Sequence, residues 1–115
     1  MSGIDAAWIE VLVAWAEGEP RVRSVHVFGS RARGDHRADS DLDVAYQLFD
    51  ADDETALTTA VCTGPFWQAE LQGRLSVPLQ LEFADPDEDE RVWPAVLREG
   101  VLLFERPPPP ASGLL

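Results

Sequence analysis

The stretch from Val25 to Val44 constrains this chain more than any other. It reads Val-His-Val-Phe-Gly-Ser-Arg-Ala-Arg-Gly-Asp-His-Arg-Ala-Asp-Ser-Asp-Leu-Asp-Val. An alternating run through Phe28 predicts a strand that must break at Gly29-Ser30. Glycine lets a ligand approach the backbone closely, and serine can cap a short helix whose free N–H groups attract phosphate. Arg31, Arg33 and Arg37 follow, and a second strand is expected from about Asp41 to Gln47. Side chains repeat every second residue in a strand, so Asp41, Asp43 and Ala45 share one face while Leu42 and Val44 share the other. The pattern is a phosphate cradle beside a metal site.

Two carboxylates at i and i+2 have Cα atoms roughly 6.6 Å apart. Their charges repel and raise one pKa unless a cation neutralises them. Magnesium is suited to this, because it prefers hard oxygen ligands and commonly takes one or two carboxylates plus substrate phosphates. A pair of such ions, about 3.5–4 Å apart, can activate an attacking oxygen and stabilise a departing one. A third carboxylate on a neighbouring strand would complete the set and accept the nucleophile's proton. An Asp-x-Asp alone is common on solvent-facing strands. Gly-Ser at this distance ahead of it makes the pattern specific.

The totals narrow what surrounds this stretch. At 115 residues the chain suits one domain with a modest core. An apolar share of 45% suffices for a packed interior, so wholesale disorder is not expected. No apolar run approaches the roughly 18 residues that a membrane crossing needs. The N-terminus lacks a basic flank and apolar stretch, and Cys62 stands alone, which excludes an internal disulfide. The simplest reading is a soluble cytoplasmic protein. A net charge of −12 argues against strong binding to nucleic acid or anionic lipid. All nine cations are Arg, and Arg21, Arg23, Arg31, Arg33 and Arg37 cluster with only Asp35 against them. A compact basic patch on an acidic molecule suits a small anion.

The remaining elements follow from periodicity. Ile4, Trp8, Val11, Leu12 and Trp15 predict an amphipathic first helix, stopped at Gly18-Glu19-Pro20. The first strand is expected over Val22–Phe28. A helix from Asp50 to Cys62 should break at Gly64-Pro65, with a further turn or two ending at Gly73. Val77–Phe83 alternates as a third strand, with Gln80 and Glu82 on one face. Acids at 85–90 open another helix whose apolar face is Val92, Trp93, Val96 and Leu97, and Gly100 ends it. Val101–Phe104 reads as a last edge strand. The domain is therefore expected over residues 1–106, with 107–115 a Pro-rich, flexible tail. His26, inside a strand, and His36, in a polar loop, are read as structural.

Phe28-Gly29-Ser30, ten residues, then Asp41-Leu42-Asp43-Val44 resembles the signature of the DNA polymerase beta-like nucleotidyltransferase superfamily. The inner wording, Gly-Ser-Arg-Ala-Arg-Gly-Asp…Ser-Asp-Leu-Asp, is similar to its minimal nucleotidyltransferase branch. The resemblance implies an α/β (α+β) fold with an α-β-α-β-α-β core and a small mixed sheet flanked by helices. It implies that Gly29 and Ser30 bind the phosphates of a nucleoside triphosphate, ATP by preference, aided by Arg31 and Arg33. Asp41 and Asp43 would bind Mg2+. The family's third acid falls at Gln80 here, where a neutral amide cannot act as a base. Glu82, two residues on and on the same face, becomes the candidate third ligand and catalytic acid.

Three functions are compatible with these residues. The first is Mg2+-dependent transfer of a nucleoside monophosphate to an acceptor hydroxyl. Members of this size resemble antitoxins, so the acceptor can be a HEPN-domain toxin. The second is an inactive fold of the same kind that neutralises its partner by binding alone, for which Gln80 speaks. The third, transfer to an antibiotic or other small molecule, has no acceptor-site residues to support it.

Overall fold

The computed structural model describes residues 4–49, 53–86 and 89–107. The acids at 50–52 and 87–88 and the tail from 108 onward lie outside the described residues.

Helix α1 spans Ala6–Gly18, and the Asp5 carboxylate accepts from the Ala7 N–H at 2.8 Å to cap its start. Its apolar stripe buries Leu12, Trp15 and Ala16. Strand β1, Val22–Phe28, has the expected bounds. Its pairing shifts between Val22 and Ser24, a bulge that returns Val22 to the same core as Val25 and Val27. A four-residue helix, α2, covers Ser30–Arg33. Ser30 is its first residue, and Gly29 occupies the cap position with no side-chain bond, so the expected serine cap does not form. Strand β2 spans Leu42–Leu48, placing Asp41 just ahead of it.

Helix α3 runs unbroken over Asp53–Gln72 with Pro65 inside, which corrects the expected break at Gly64-Pro65. Proline removes one helical hydrogen bond, but packing outweighs that local cost. Trp67 and Leu71 are buried, and Trp67 packs edge-on against both Trp15 and Tyr46 with ring centroids 5.5 Å apart. Gly64 packs closely on Tyr46, since a Cβ there would lie 3.2 Å from its hydroxyl.

Strand β3 is Leu79–Phe83, helix α4 Val92–Glu99 and strand β4 Val101–Glu105. The start of α4 is held by Asp89, whose carboxylate accepts from the N–H groups of Arg91, Val92 and Trp93. Val92 and Val96 are buried as expected, whereas Leu97 is 70% exposed and leaves the predicted apolar face.

The sheet is mixed, in the order β3-β2-β1-β4, so both β3 and β4 lie at edges. β1 is antiparallel to β2 and β4, and β3 is parallel to β2, with α3 as the crossover. Tyr46, Val25, Val27, Leu42, Val44 and Leu79 pack with α1 and α3 in the larger core. On the opposite face, Phe28, Ala45 and Ala84 pack against Val92 and Val96 of α4. This mixed α/β architecture agrees with the expected one, including the last helix and the edge strand after it. No helix among the described residues is long and apolar enough to cross a membrane.

Candidate active site

Two adjacent strand ends, β1 and β2, build the site on the face that α4 covers. Phe28 lies opposite Asp43 in the antiparallel register, so the turn leaving β1 passes directly over the Asp43 carboxylate. Gly29 makes that turn at φ 76°, a left-handed value that disfavours any side chain. A Cβ at this position would stand 2.2 Å from Asp43 Oδ2. The glycine is therefore required twice, for its backbone angle and for the space it leaves. Sequence reasoning expected Gly29 beside a ligand; the structure also sets it against Asp43.

Asp43 is half-buried and Asp41 exposed. Among the described residues, neither carboxylate accepts a hydrogen bond. Burial raises the pKa of Asp43, the charges of Asp41 and Glu82 raise it further, Arg33 opposes them, and Glu99 adds to the repulsion. These are hard oxygen donors in excess of local positive charge, a set that fits a magnesium ion completing its shell with substrate oxygens.

Strand register bears on the third acid. Gln80 lies directly opposite Asp43, and Glu82 lies opposite Ala45, one pleat further along the same face. Glu82 is paired with the Arg91 guanidinium at the start of α4. Among the described residues, no three His, Cys, Asp or Glu side chains come together as a metal-holding group. The structure thus brings Asp41 and Glu82 near enough to Asp43 for their charges to act on it, but ties Glu82 to another partner.

The two arginines part company. Arg31 is only 5% exposed, and its guanidinium donates to the carbonyls of Ser40 and Ala38 while lying 4.9 Å over the Trp8 ring. It fixes the loop that leads into β2, a different placement from the phosphate-facing one expected of it. Arg33 is half-exposed and lies at the site. Its Nη1 donates to Glu99 Oε2 at 2.8 Å, and its Nε to Asp35 Oδ2 at 3.1 Å.

Glu99, the last residue of α4, is a site residue that sequence reasoning missed. The same Oε2 also accepts the Gly29 N–H at 2.8 Å. No local pattern signals it, since it lies 70 positions from the glycine it meets. His26 sits half-buried with its ring edge-on to Trp93, 5.8 Å between centroids, and among the described residues its Nδ1 has no hydrogen-bond partner.

Taken together, a backbone N–H and a guanidinium that hold an anion lie beside two carboxylates that call for a cation. That pairing suits a polyphosphate bound with its metal.

The comparisons with known proteins bear on this geometry. A family model described as "Polymerase beta, Nucleotidyltransferase" matches residues 10–108. Among solved structures, a toxin-antitoxin crystal structure with AMP-PNP is similar at 18% identity and a TM-score of 0.64, over 85% of this chain and 73% of that one. A mutant form of the toxin-antitoxin MntA-HpeT aligns at 16% identity and a TM-score of 0.61, over 86% and 73% of the two chains. A Sulfolobus solfataricus protein described as a candidate nucleotidyltransferase aligns at 24% identity and a TM-score of 0.52, over 85% and 77%. At these identities the likeness is one of fold. No curated protein sequence matches the chain.

Proposed function

Since this chain belongs to the polymerase beta nucleotidyltransferase family, we propose that it is a Mg2+-dependent enzyme moving AMP from ATP to an acceptor hydroxyl. The observation that carries this reading is the close approach of the Gly29 turn to the Asp43 carboxylate, which supports the first as a seat for phosphate and the second as a ligand for its cation. Asp41 and Asp43 would hold magnesium, which when bound would neutralise charge on the phosphates and on the departing pyrophosphate. The backbone at Gly29 and Ser30 receives the terminal phosphates, and Arg33 offsets their charge. The acceptor hydroxyl forms its bond to the α-phosphorus as the bond to pyrophosphate breaks. Glu82 is the side chain assigned to take the hydroxyl proton, once Arg91 releases it.

The acceptor is proposed to lie on a helical HEPN-type toxin, with this chain as its antitoxin. Support comes from the fold, which is shared with chains of toxin-antitoxin crystal structures. A second reading is favoured by one specific observation. With Gln80 opposite Asp43 and Glu82 held by Arg91, β3 offers no free third acid among the described residues, as expected of a binding-only antitoxin.

Labelled ATP and Mg2+, incubated with the chain and its helical partner, should transfer label to that partner. Asp41→Asn with Asp43→Asn should reduce transfer by at least about a hundredfold, given that electrostatic stabilisation is usually the largest catalytic contribution. A double variant that neutralises the partner as fully as the wild type would instead establish the binding-only reading. Mg2+ should also raise the melting temperature of the wild type and leave that of the double variant unchanged, since only a site in the folded state gains from the ion.

A further inference from the structure

The anion-holding groups of the site are engaged by a carboxylate of the same chain. Glu99 Oε2 accepts from the Gly29 N–H and from Arg33 Nη1, both at 2.8 Å. Its other oxygen, Oε1, faces the Arg98 guanidinium at 3.7 Å. The side chain is only 12% exposed, so this is a seated group and not a surface rotamer. Its seat is also electrostatically uncomfortable, because Glu99 adds repulsion to an Asp43 already crowded by Asp41 and Glu82. A carboxylate stays beside other carboxylates only where strong donors hold it. Here those donors are the ones that a nucleotide's phosphate would need.

We propose that Glu99 is an internal plug, a carboxylate that fills the phosphate seat until a metal-bearing nucleotide displaces it. The proposal rests on the nucleotidyltransferase reading and adds a regulation to the same site. The position of Glu99 permits the exchange. It is the last residue of α4, where the helix ends on a Gly100 N–H bond to the Val96 carbonyl at 2.7 Å and the chain enters β4. Rotation of one side chain empties the seat without unpacking Val92 or Val96, the buried residues of the helix. Several phosphate oxygens then replace one carboxylate, and the incoming cation relieves the repulsion at Asp41 and Asp43. A nucleotide without its cation would bring the phosphates but leave that repulsion in place.

The apparent affinity for nucleotide is lowered by the fraction of molecules whose seat is closed. Removing the charge of the plug should therefore tighten binding. Isothermal titration of the full chain with ATP and Mg2+ measures this directly. Glu99→Gln, nearly the same shape, is expected to bind about tenfold tighter or more, the scale of a charge-assisted hydrogen bond converted to an equilibrium. Glu99→Asp keeps the charge but loses reach, and is expected to tighten binding in the same direction. Adding Arg33→Ala to Glu99→Gln should reverse the gain, because the guanidinium then no longer meets the phosphates.

A Glu99→Gln chain that binds ATP as the wild type does overturns the plug and leaves the nucleotide reading standing. One that binds more weakly assigns Glu99 to shaping the turn and also overturns it. If neither chain binds ATP in the presence of Mg2+, both readings fall together. The Gly29 amide resonance in a 15N-glycine-labelled chain gives a second readout without nucleotide. It should shift in Glu99→Gln while the Gly18 and Gly73 amides stay in place, which also shows that the fold is kept.

Discussion

Gly29 is under two demands at once. Its φ of 76° and the 2.2 Å approach of a notional Cβ to Asp43 Oδ2 act together on one atom. Gly29→Ala must move the turn off the Asp43 carboxylate or push that carboxylate away. The backbone strain alone is worth about 1–3 kcal/mol. The change should lower the urea midpoint accordingly and abolish ATP binding with Mg2+. Part of the cost is steric and specific to Asp43, so the double variant Gly29→Ala with Asp43→Ala should regain some of the lost stability. A double-mutant cycle with no coupling between the two positions would remove the contact as an explanation. The glycine was legible in the sequence because a strand ending in Gly-Ser before an Asp-x-Asp has few other uses. What it touches was not, because register between β1 and β2 is set by the whole core. Arg31 and Arg33 show the same limit more sharply. Two positions apart in one basic run, they differ in fate because Trp8, far off in sequence, takes one of them.

At the scale of elements, helix α3 holds the open edge of the sheet with side chains. The Gln68 amide donates to the Leu79 carbonyl at 2.8 Å and accepts from the Leu81 N–H at 2.9 Å. Gln72 does the same one turn later, with the Val77 carbonyl at 2.9 Å and the Leu79 N–H at 2.7 Å. Two glutamines thus complete the ladder of β3 in place of a fifth strand, and they shield an edge that would invite pairing with another chain. Gln68→Met with Gln72→Met preserves shape but leaves four edge groups without these partners. At about 1 kcal/mol per hydrogen bond, stability should fall by about 2–4 kcal/mol. The edge should also promote self-association, visible as an earlier-eluting species in size-exclusion chromatography. An unchanged urea midpoint and a single monomer peak would rule out this role. Both glutamines lie beyond Gly64-Pro65, the pair at which sequence rules end the helix. The strands and α1 were readable from local period and capping, whereas α3 was not, and α4 starts at Val92, after the described acids that were expected to open it. The continuity of α3 depends on Trp67 meeting Trp15 and Tyr46, and on a glycine facing a hydroxyl across the core. The same reasoning accounts for Glu99, whose neighbours are supplied by the closing of α4 over the sheet.

For the molecule as a whole, acidity and burial set two titrations against each other on the face covered by α4. His26 is half-buried in β1, edge-on to Trp93, with its Nδ1 free of any partner among the described residues. Burial lowers its pKa below 6.5, and nearby Glu105 only partly offsets this. The folded protein therefore holds the ring neutral more strongly than the unfolded chain does. As pH drops below the unfolded value the unfolded state takes up the proton first, so stability falls, and the loss levels off once the folded pKa is passed. Asp43 has the opposite sign. Its folded pKa is raised above 3.8, chiefly by burial and then by Asp41 and Glu82, so the folded protein binds that proton more readily and gains stability as pH falls. Wild-type stability between pH 7.5 and 5 should thus decline through His26, with Asp43 beginning to oppose the decline at the acidic end. His26→Gln should flatten the curve in the upper part of that range. Asp43→Asn should raise stability at neutral pH without metal, because it removes a repelled charge, and should steepen the acid loss. Urea denaturation of the three chains at half-unit pH steps would resolve the contributions. A wild type and a His26→Gln chain with parallel curves would exclude the histidine. An Asp43→Asn chain less stable than wild type at pH 7.5 would mean that the carboxylate is satisfied in the metal-free fold, which would remove the electrostatic reason for a cation at this site.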